Sequence, residues 1–150
     1  MKIAFACDHR GFEIKSRVLD FLKKRGIEVI DCGTNGPESM DYPDPILKAA
    51  GLVAQGGADR AVGACYTGIG SAIAANKVLG VRAALVGRVE EARLARAHND
   101  SNMIILGTGF LSPALIEPIL ENWIDTPFEG GRHAERVNKI KAYEQKHIRG

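Results

Sequence analysis

Two spacings of apolar residues alternate along the chain. Five short runs are rich in apolar side chains: residues 2–7, 27–31, 60–64, 81–86 and 103–106. Runs this short and this apolar read as strands buried on both faces of a sheet. The stretches between them follow a helical period. The first carries Phe12, Val18, Leu19 and Leu22 on one side and reaches about Arg25, where Gly26 supplies a stop. A loop rich in turn formers, 33–45, leads into a second helix that ends near Gln55 at Gly56-Gly57. Residues 71–77 predict a third helix closed by Gly80, and 89–97 a fourth with charge on one face. Residues 113–124 predict a fifth, with Ser112 as N-cap and Pro113 in its first turn. A basic tail begins at Gly130 and reads as helix through about His147. Its Val137, Ile140 and Tyr143, at helical spacing, offer a face to a partner subunit or to the chain's own domain.

Strand and helix thus alternate five times, which predicts an α/β fold: one five-stranded parallel sheet with helices on both faces and a C-terminal helical tail. In such sheets ligands bind beyond the carboxyl ends of the strands. That rule singles out three loops: Asp8-His9 after the first strand, 65–70 after the third, and Gly107-Thr108-Gly109 after the fifth. No internal repeat or composition shift divides the chain, so residues 1–150 read as a single domain.

Composition removes several classes of function. A formal net charge of +2 supplies no broad field for nucleic acid or a membrane surface. No apolar run approaches a membrane span, and the first residues read as a strand instead of a signal peptide, which points to the cytoplasm. Three cysteines, an odd number without a C-x-x-C pair, argue against a disulfide framework and against a zinc knuckle. Cys7 and Cys32 fit the role of small buried apolar side chains. No G-x-x-x-x-G-K-S/T phosphate loop occurs, and Gly68-Ile69-Gly70 lacks the third glycine of a dinucleotide fingerprint, Ile73 standing there.

Cys65 stands apart. In Cys65-Tyr66-Thr67-Gly68-Ile69-Gly70 it sits where a strand gives way to a helix. Glycines let backbone N–H groups face one point, and a helix N-terminus favours negative charge. Such a position suits a cysteine acting as base or nucleophile. Four other groups each admit two readings. His98, in His98-Asn99-Asp100 after the fourth helix, is a capping cation or an acid–base partner of Cys65. Arg132 and Arg136, at i and i+4 after Gly130-Gly131, form a solvated face paired with Glu129 or Glu135, or a fork for phosphate. Asp8 is an N-cap for the first helix or a carboxylate for sugar hydroxyls, with His9 near a phosphate. Tyr42, in Asp41-Tyr42-Pro43-Asp44, belongs to turn chemistry or lines a sugar pocket.

Taken together these residues resemble the type B ribose-5-phosphate isomerases and their galactose-6-phosphate isomerase relatives. The likeness runs nearly end to end, through Cys7-Asp8-His9, Asp31-Cys32-Gly33-Thr34, Asp41-Tyr42-Pro43, the Cys65 loop, Ala74-Ala75-Asn76-Lys77, His98-Asn99-Asp100 and Gly130-Gly131-Arg132-His133. It implies a Rossmann-like three-layer α/β/α sandwich, a reaction without metal or cofactor, and a homodimer (a tetramer remains open) with active sites at the subunit interface. It implies that Cys65 moves a proton between C1 and C2 of a sugar phosphate. His98, reaching in from the partner subunit, would open the furanose ring with help from Thr67. The backbone of Tyr66, Thr67, Gly68, Ile69 and Gly70 would hold the resulting cis-enediolate. Asp8 and Asn99 match residues that hold hydroxyls, and His9, Arg132 and Arg136 match the phosphate site. Two positions depart from the family pattern. Tyr66 replaces a glycine, and Gly109 replaces an arginine that contacts the substrate phosphate from the other subunit, a loss for which neighbouring Arg10 is a candidate substitute.

The expected function is aldose–ketose isomerisation, with D-ribose 5-phosphate and D-ribulose 5-phosphate as the pair. The same chemistry on a hexose 6-phosphate, a tetrose phosphate or an unusual pentose phosphate is the alternative that Tyr66 and Gly109 keep open. A non-catalytic sugar-phosphate sensor is a third reading, but a binding protein has little need of a thiol in an anion-stabilising loop.

Overall fold

The computed structural model describes residues 1–147. Five strands form one parallel sheet in the order β2-β1-β3-β5-β4: β1 (Lys2–Cys7), β2 (Glu28–Asp31), β3 (Arg60–Cys65), β4 (Ala83–Leu85) and β5 (Met103–Gly107). Six helices cover it: α1 (Lys15–Lys24), α2 (Pro43–Ala54), α3 (Ile69–Ala75), α4 (Val89–Asn99), α5 (Ile116–Asp125) and α6 (Arg132–His147). Among the described residues no helix is long and apolar enough to cross a membrane.

Alternation along the strands builds two cores. Ile3 and Phe5 of β1, Val62 of β3 and Ile104 and Leu106 of β5 face one side, where they meet α1, α4 and α5 through Leu22, Ala92, Ile119 and Trp123. Ala4, Ala6, Ala61, Met103 and Ile105 face the other side and meet Ile46, Ala49 and Ala50 of α2 and Ala75 of α3. The sandwich is therefore three layers deep, as expected. α6 packs on α4. It buries Val137 but leaves Ile140 and Tyr143 exposed, so one part of the tail folds back on its own domain and the rest stays uncovered.

Gly26 and Gly56 stop their helices as expected, at φ of 70° and 75°, whereas α3 ends at Ala75 with Asn76 as its cap residue, and Gly80 (φ 83°) lies in the turn that follows. Other boundaries differ from the sequence expectation, each for a local reason. β4 contracts because side chains take its first amides: Arg82 N–H donates to Asn102 Oδ1 at 2.7 Å, and Asn76 both accepts from Ala83 N–H and donates to its carbonyl. α3 begins at Ile69, not Ser71, because Gly68 at φ 79° serves as its N-cap residue. α4 continues through Asn99, which puts His98 inside its last turn and not after it. Asp100, at φ 46°, ends the helix and is held by Arg82 and Arg96 at 3.1 and 2.9 Å. A 3-10 turn precedes both α1 (Phe12–Ile14) and α5 (Pro113–Leu115). Ser112 has the extended backbone of a cap residue, but its hydroxyl caps no amide.

Candidate active site

The chain runs from β1 outward to β2 and later from β3 outward to β5 and β4, so the strand order reverses between β1 and β3. Ligand crevices open at such reversals, beyond the carboxyl ends. Cys7 pairs with Ala64 in the ladder, so Asp8 and Cys65 leave the sheet side by side at that crevice.

Cys65 is 5 % exposed. Its Sγ accepts hydrogen bonds from Ser71 Oγ at 3.0 Å and from the Gly68 amide at 3.2 Å. Bonds of this kind strengthen when the acceptor carries charge. Gly68 reaches the sulfur because its left-handed backbone turns the N–H inward, a conformation that favours glycine. Thr67 Oγ1 accepts from the Ile69 amide at 3.2 Å. The Tyr42 ring lies against Gly70 so closely that a Cβ there would overlap it, which brings Tyr42 to the Cys65 loop while Pro43 starts α2 behind it. His9 Nδ1 accepts from the Met40 amide at 3.3 Å, which assigns the proton of the neutral ring to Nε2. Asp8 is buried, and its Oδ1 accepts from the Arg10 and Gly11 amides, both at 2.9 Å. One oxygen thus builds the turn, and Oδ2 takes no donor among the described residues.

The other predicted catalytic group lies elsewhere. α4 returns from the carboxyl edge of the sheet to its amino edge, so His98 stands where Asn102 leads into β5 and accepts from the Ala61 amide. Cys65 pairs with Gly107 at the far end of that ladder, while Ala61 pairs with Met103. Four steps along a parallel strand span about 13 Å. One chain therefore does not bring Cys65 and His98 together. Asn99, Arg132 and Arg136 lie with His98 on the second half; Asp8, His9, Thr67 and Tyr42 lie with Cys65 on the first.

His98 has neighbours that sequence reasoning missed. Its ring stacks on His133, centroids 4.1 Å apart and 9° from parallel. Glu129 Oε2 is 3.4 Å from His133 Nε2 and 3.9 Å from His98 Nε2. Burial first, then the charges of His98 and Arg132, hold the His133 pKa below its usual value against the pull of Glu129. Among the described residues, these three are the group whose possible ligand atoms lie within 4.8 Å of one another. One Glu129 oxygen is near both stacked rings and closer to His133. Glu129 is thus engaged with histidines and not with the arginines. Arg132 and Arg136 are exposed and have no carboxylate partner among the described residues. The i, i+4 spacing of Glu129 and His133 was the available signal; Ser71 gave none beyond standing one helical turn past the loop.

The two unusual positions meet. The Tyr66 ring lies on Gly109, where any Cβ would overlap it. The Arg10 guanidinium sits over the opposite part of this shelf, 4.4 Å from the Tyr66 ring centroid. Beside them a hollow of about 380 Å³ is lined by Thr67, Ile69, Leu85, Phe110 and Leu111, among others. Cys7 and Cys32 are buried as expected, and burial pushes the Cys7 thiol up to about 11. All three cysteines are free.

Comparison with known proteins shows which family and fold carry this site. Residues 3–140 match the family model described as Ribose/Galactose Isomerase. The chain is 43 % identical to ribose-5-phosphate isomerase B of Escherichia coli (strain K12) over 145 residues, 97 % of each protein. A solved structure of Clostridium thermocellum ribose-5-phosphate isomerase B superposes with a TM-score of 0.96 at 49 % identity, covering 99 % of this chain and 100 % of that one. The Mycoplasma genitalium ribose-5-phosphate isomerase B structure with bound ribulose-5-phosphate gives 0.93 at 37 % identity and 97 % of each chain.

Proposed function

Because the chain belongs to the ribose/galactose isomerase family, we propose that it interconverts D-ribose 5-phosphate and D-ribulose 5-phosphate with Cys65 as the base. It is an aldose–ketose isomerase of sugar phosphates. The observation that carries the residue assignment is the Cys65 sulfur at the strand-order reversal, with two donors on it and Asp8 and Tyr42 beside it.

His98 and Thr67 exchange protons with the anomeric hydroxyl and ring oxygen to open the furanose. The Cys65 thiolate then takes the proton from C2. The C2–H electron pair forms the C1–C2 double bond, and the carbonyl oxygen on C1 becomes the enediolate oxygen. A proton then passes from O2 to O1, Cys65 returns its proton to C1, and the O2 electron pair forms the C2 carbonyl of the ketose. The Gly68 amide is engaged with the sulfur and the Ile69 amide with Thr67, so Tyr66, Thr67 and Gly70 supply the amides for the developing charge. Each such donor lowers the barrier by about 3–4 kcal/mol. Asp8 and Asn99 hold hydroxyls; His9, Arg132 and Arg136 hold the phosphate. His133 and Glu129 orient the His98 ring. These steps need side chains and backbone alone.

The reaction requires two copies of the chain. A two-fold pair sets the Cys65 half of one against the His98 half of the other and completes two identical sites. The exposed apolar side chains Ile69, Leu85 and Phe110, which line the hollow next to the Cys65 loop, and the exposed Ile73 of α3 supply a surface for that contact. We place the enzyme in the cytoplasm, where a reducing environment suits three free thiols.

The test is turnover of ribose 5-phosphate by the wild type and by Cys65→Ala. The variant should fold normally and lose nearly all activity; a wild-type rate would mean that the base is another group. The Tyr66 ring over Gly109 favours a second reading, in which the sugar is another aldose phosphate. A panel of tetrose, pentose and hexose phosphates compared by kcat/KM decides, and preference for ribose 5-phosphate over all others ends that reading.

A further inference from the structure

The loop after β1 carries a cation with no acid beside it. Arg10 is exposed and makes no ion pair among the described residues. It is nevertheless held in place. Its guanidinium lies 4.4 Å from the centroid of the Tyr66 ring, and its carbonyl accepts from Thr108 Oγ1 at 3.2 Å. The Tyr66 ring in turn rests on Gly109, the residue after Thr108. Loops from β1, β3 and β5 therefore meet in one stack at the carboxyl edge, one residue from the Cys65 sulfur. We infer that Arg10, carried on the Tyr66 ring above Gly109, is a phosphate anchor of the active site, and that Tyr66 is its positioning residue. The inference rests on the sugar-phosphate reading of the site and adds to it the group that selects the phosphorylated end.

The chemistry follows from the stack. An aromatic ring engages the face of a guanidinium and leaves the N–H groups on its edge free. Those edge donors form a planar fork that matches two phosphate oxygens. Holding a long flexible side chain in advance removes part of the entropy cost of binding. The arrangement depends on Gly109: a side chain there would displace the ring, and with it the guanidinium. Tyr66 is bonded directly to Cys65, so the anchor and the base are set relative to each other by a single peptide unit. His9, the residue before Arg10, adds a second donor from the same loop.

The experiment measures KM and kcat for ribose 5-phosphate, and the dissociation constant of inorganic phosphate by titration calorimetry. It compares the wild type with Arg10→Ala, Arg10→Lys, Tyr66→Leu and the Arg10→Ala/Tyr66→Leu pair. Arg10→Ala should raise both KM and the phosphate dissociation constant by about tenfold or more, as expected for a lost charge-assisted bond, with a much smaller change in kcat. Arg10→Lys should recover part of the loss, because it keeps the charge without the fork. Tyr66→Leu should weaken phosphate, and the double variant should bind it no more weakly than Arg10→Ala alone, because Tyr66 acts through Arg10. Unchanged KM and phosphate affinity in Arg10→Ala would overturn the anchor; additive losses in the double variant would overturn the positioning role of Tyr66. Phosphate binding is read without turnover. Arg10-dependent binding by a protein that isomerises no sugar phosphate would leave the anchor standing and remove the isomerase reading. Normal turnover with a silent Arg10→Ala would do the reverse.

Discussion

The four strand steps of β3, about 13 Å, between the Cys65 end of the sheet and the end where His98 stands have a consequence for mixed dimers. In the proposed dimer, each complete site takes Cys65 from one chain and His98 from the other. A Cys65→Ala homodimer has no complete site, and neither has a His98→Asn homodimer. A heterodimer of the two variants pairs the intact Cys65 of one chain with the intact His98 of the other, so one of its two sites is complete. Its activity should be about half that of the wild type. A second pairing reverses the logic. Wild type joined to a Cys65→Ala/His98→Asn chain leaves both interface sites damaged, each lacking one group, and should be inactive. Sites contained within single chains would give the opposite pattern: no activity in the first heterodimer and half in the second. The assay is co-expression of differently tagged chains, purification on both tags in sequence, and isomerisation of ribose 5-phosphate per dimer. The substitutions spare the cores, because His98 is partly exposed and Ala is smaller than the Cys65 it replaces. Half activity in the wild-type/double-variant dimer would refute the shared site, and with it the separation argued from the β3–β5 ladder.

Three further outcomes are expected. Ser71→Ala removes a buried hydroxyl that donates to the Cys65 sulfur at 3.0 Å; kcat/KM should fall by about tenfold or more, as for loss of a bond to a charged acceptor, with an unchanged circular dichroism spectrum. Cys7, whose thiol burial pushes up to about 11, should stay unmodified when the native enzyme is treated with iodoacetamide at pH 7.5, and mass spectrometry of the digested protein would show a carboxamidomethyl Cys7 if that is wrong. His133 has its pKa lowered in the folded chain by burial, so the unfolded chain binds more protons once the pH falls below the ordinary histidine value of about 6.5. Its contribution to stability should therefore be complete above that pH and decline below it. Urea unfolding at pH 7.5 and 5.5 should show a larger acid loss in the wild type than in His133→Phe, and equal losses would refute the linkage.

Most of the layer structure was legible in the chain because its determinants are local. The β1 run Ile3-Ala4-Phe5-Ala6-Cys7 has apolar side chains on both faces, and Gly26 and Gly56 end helices through a backbone conformation that glycine alone adopts freely. The Cys65 loop was legible for the same reason: thiol, glycines and helix start are neighbours in sequence. What failed to show were features made by groups distant in the chain. The strand order places β1 between β2 and β3, which no element pattern states, and only that order makes Asp8 and Cys65 neighbours. The length of α4 was underestimated because Asp100 stops it with a left-handed residue held both by Arg96 of α4 and by Arg82, which precedes β4.

The departures at Tyr66 and Gly109 carry the argument one step further. Taken one at a time along the chain, each reads as a loss: a bulky ring where close backbone approach is wanted, and a missing cation where phosphate must be held. In the folded chain the ring occupies the space that the absent side chain leaves, and it carries a different cation, Arg10, on its face. A substitution at any one of the three positions would disturb the other two. Arginine at residue 109 would collide with the ring, and glycine at residue 66 would remove the support of Arg10. Returning these residues toward the family pattern should therefore cost phosphate affinity when done singly and recover it only when the set is changed together. That is the behaviour of a rebuilt contact, and a site that had simply lost its phosphate grip would instead gain from Gly109→Arg alone.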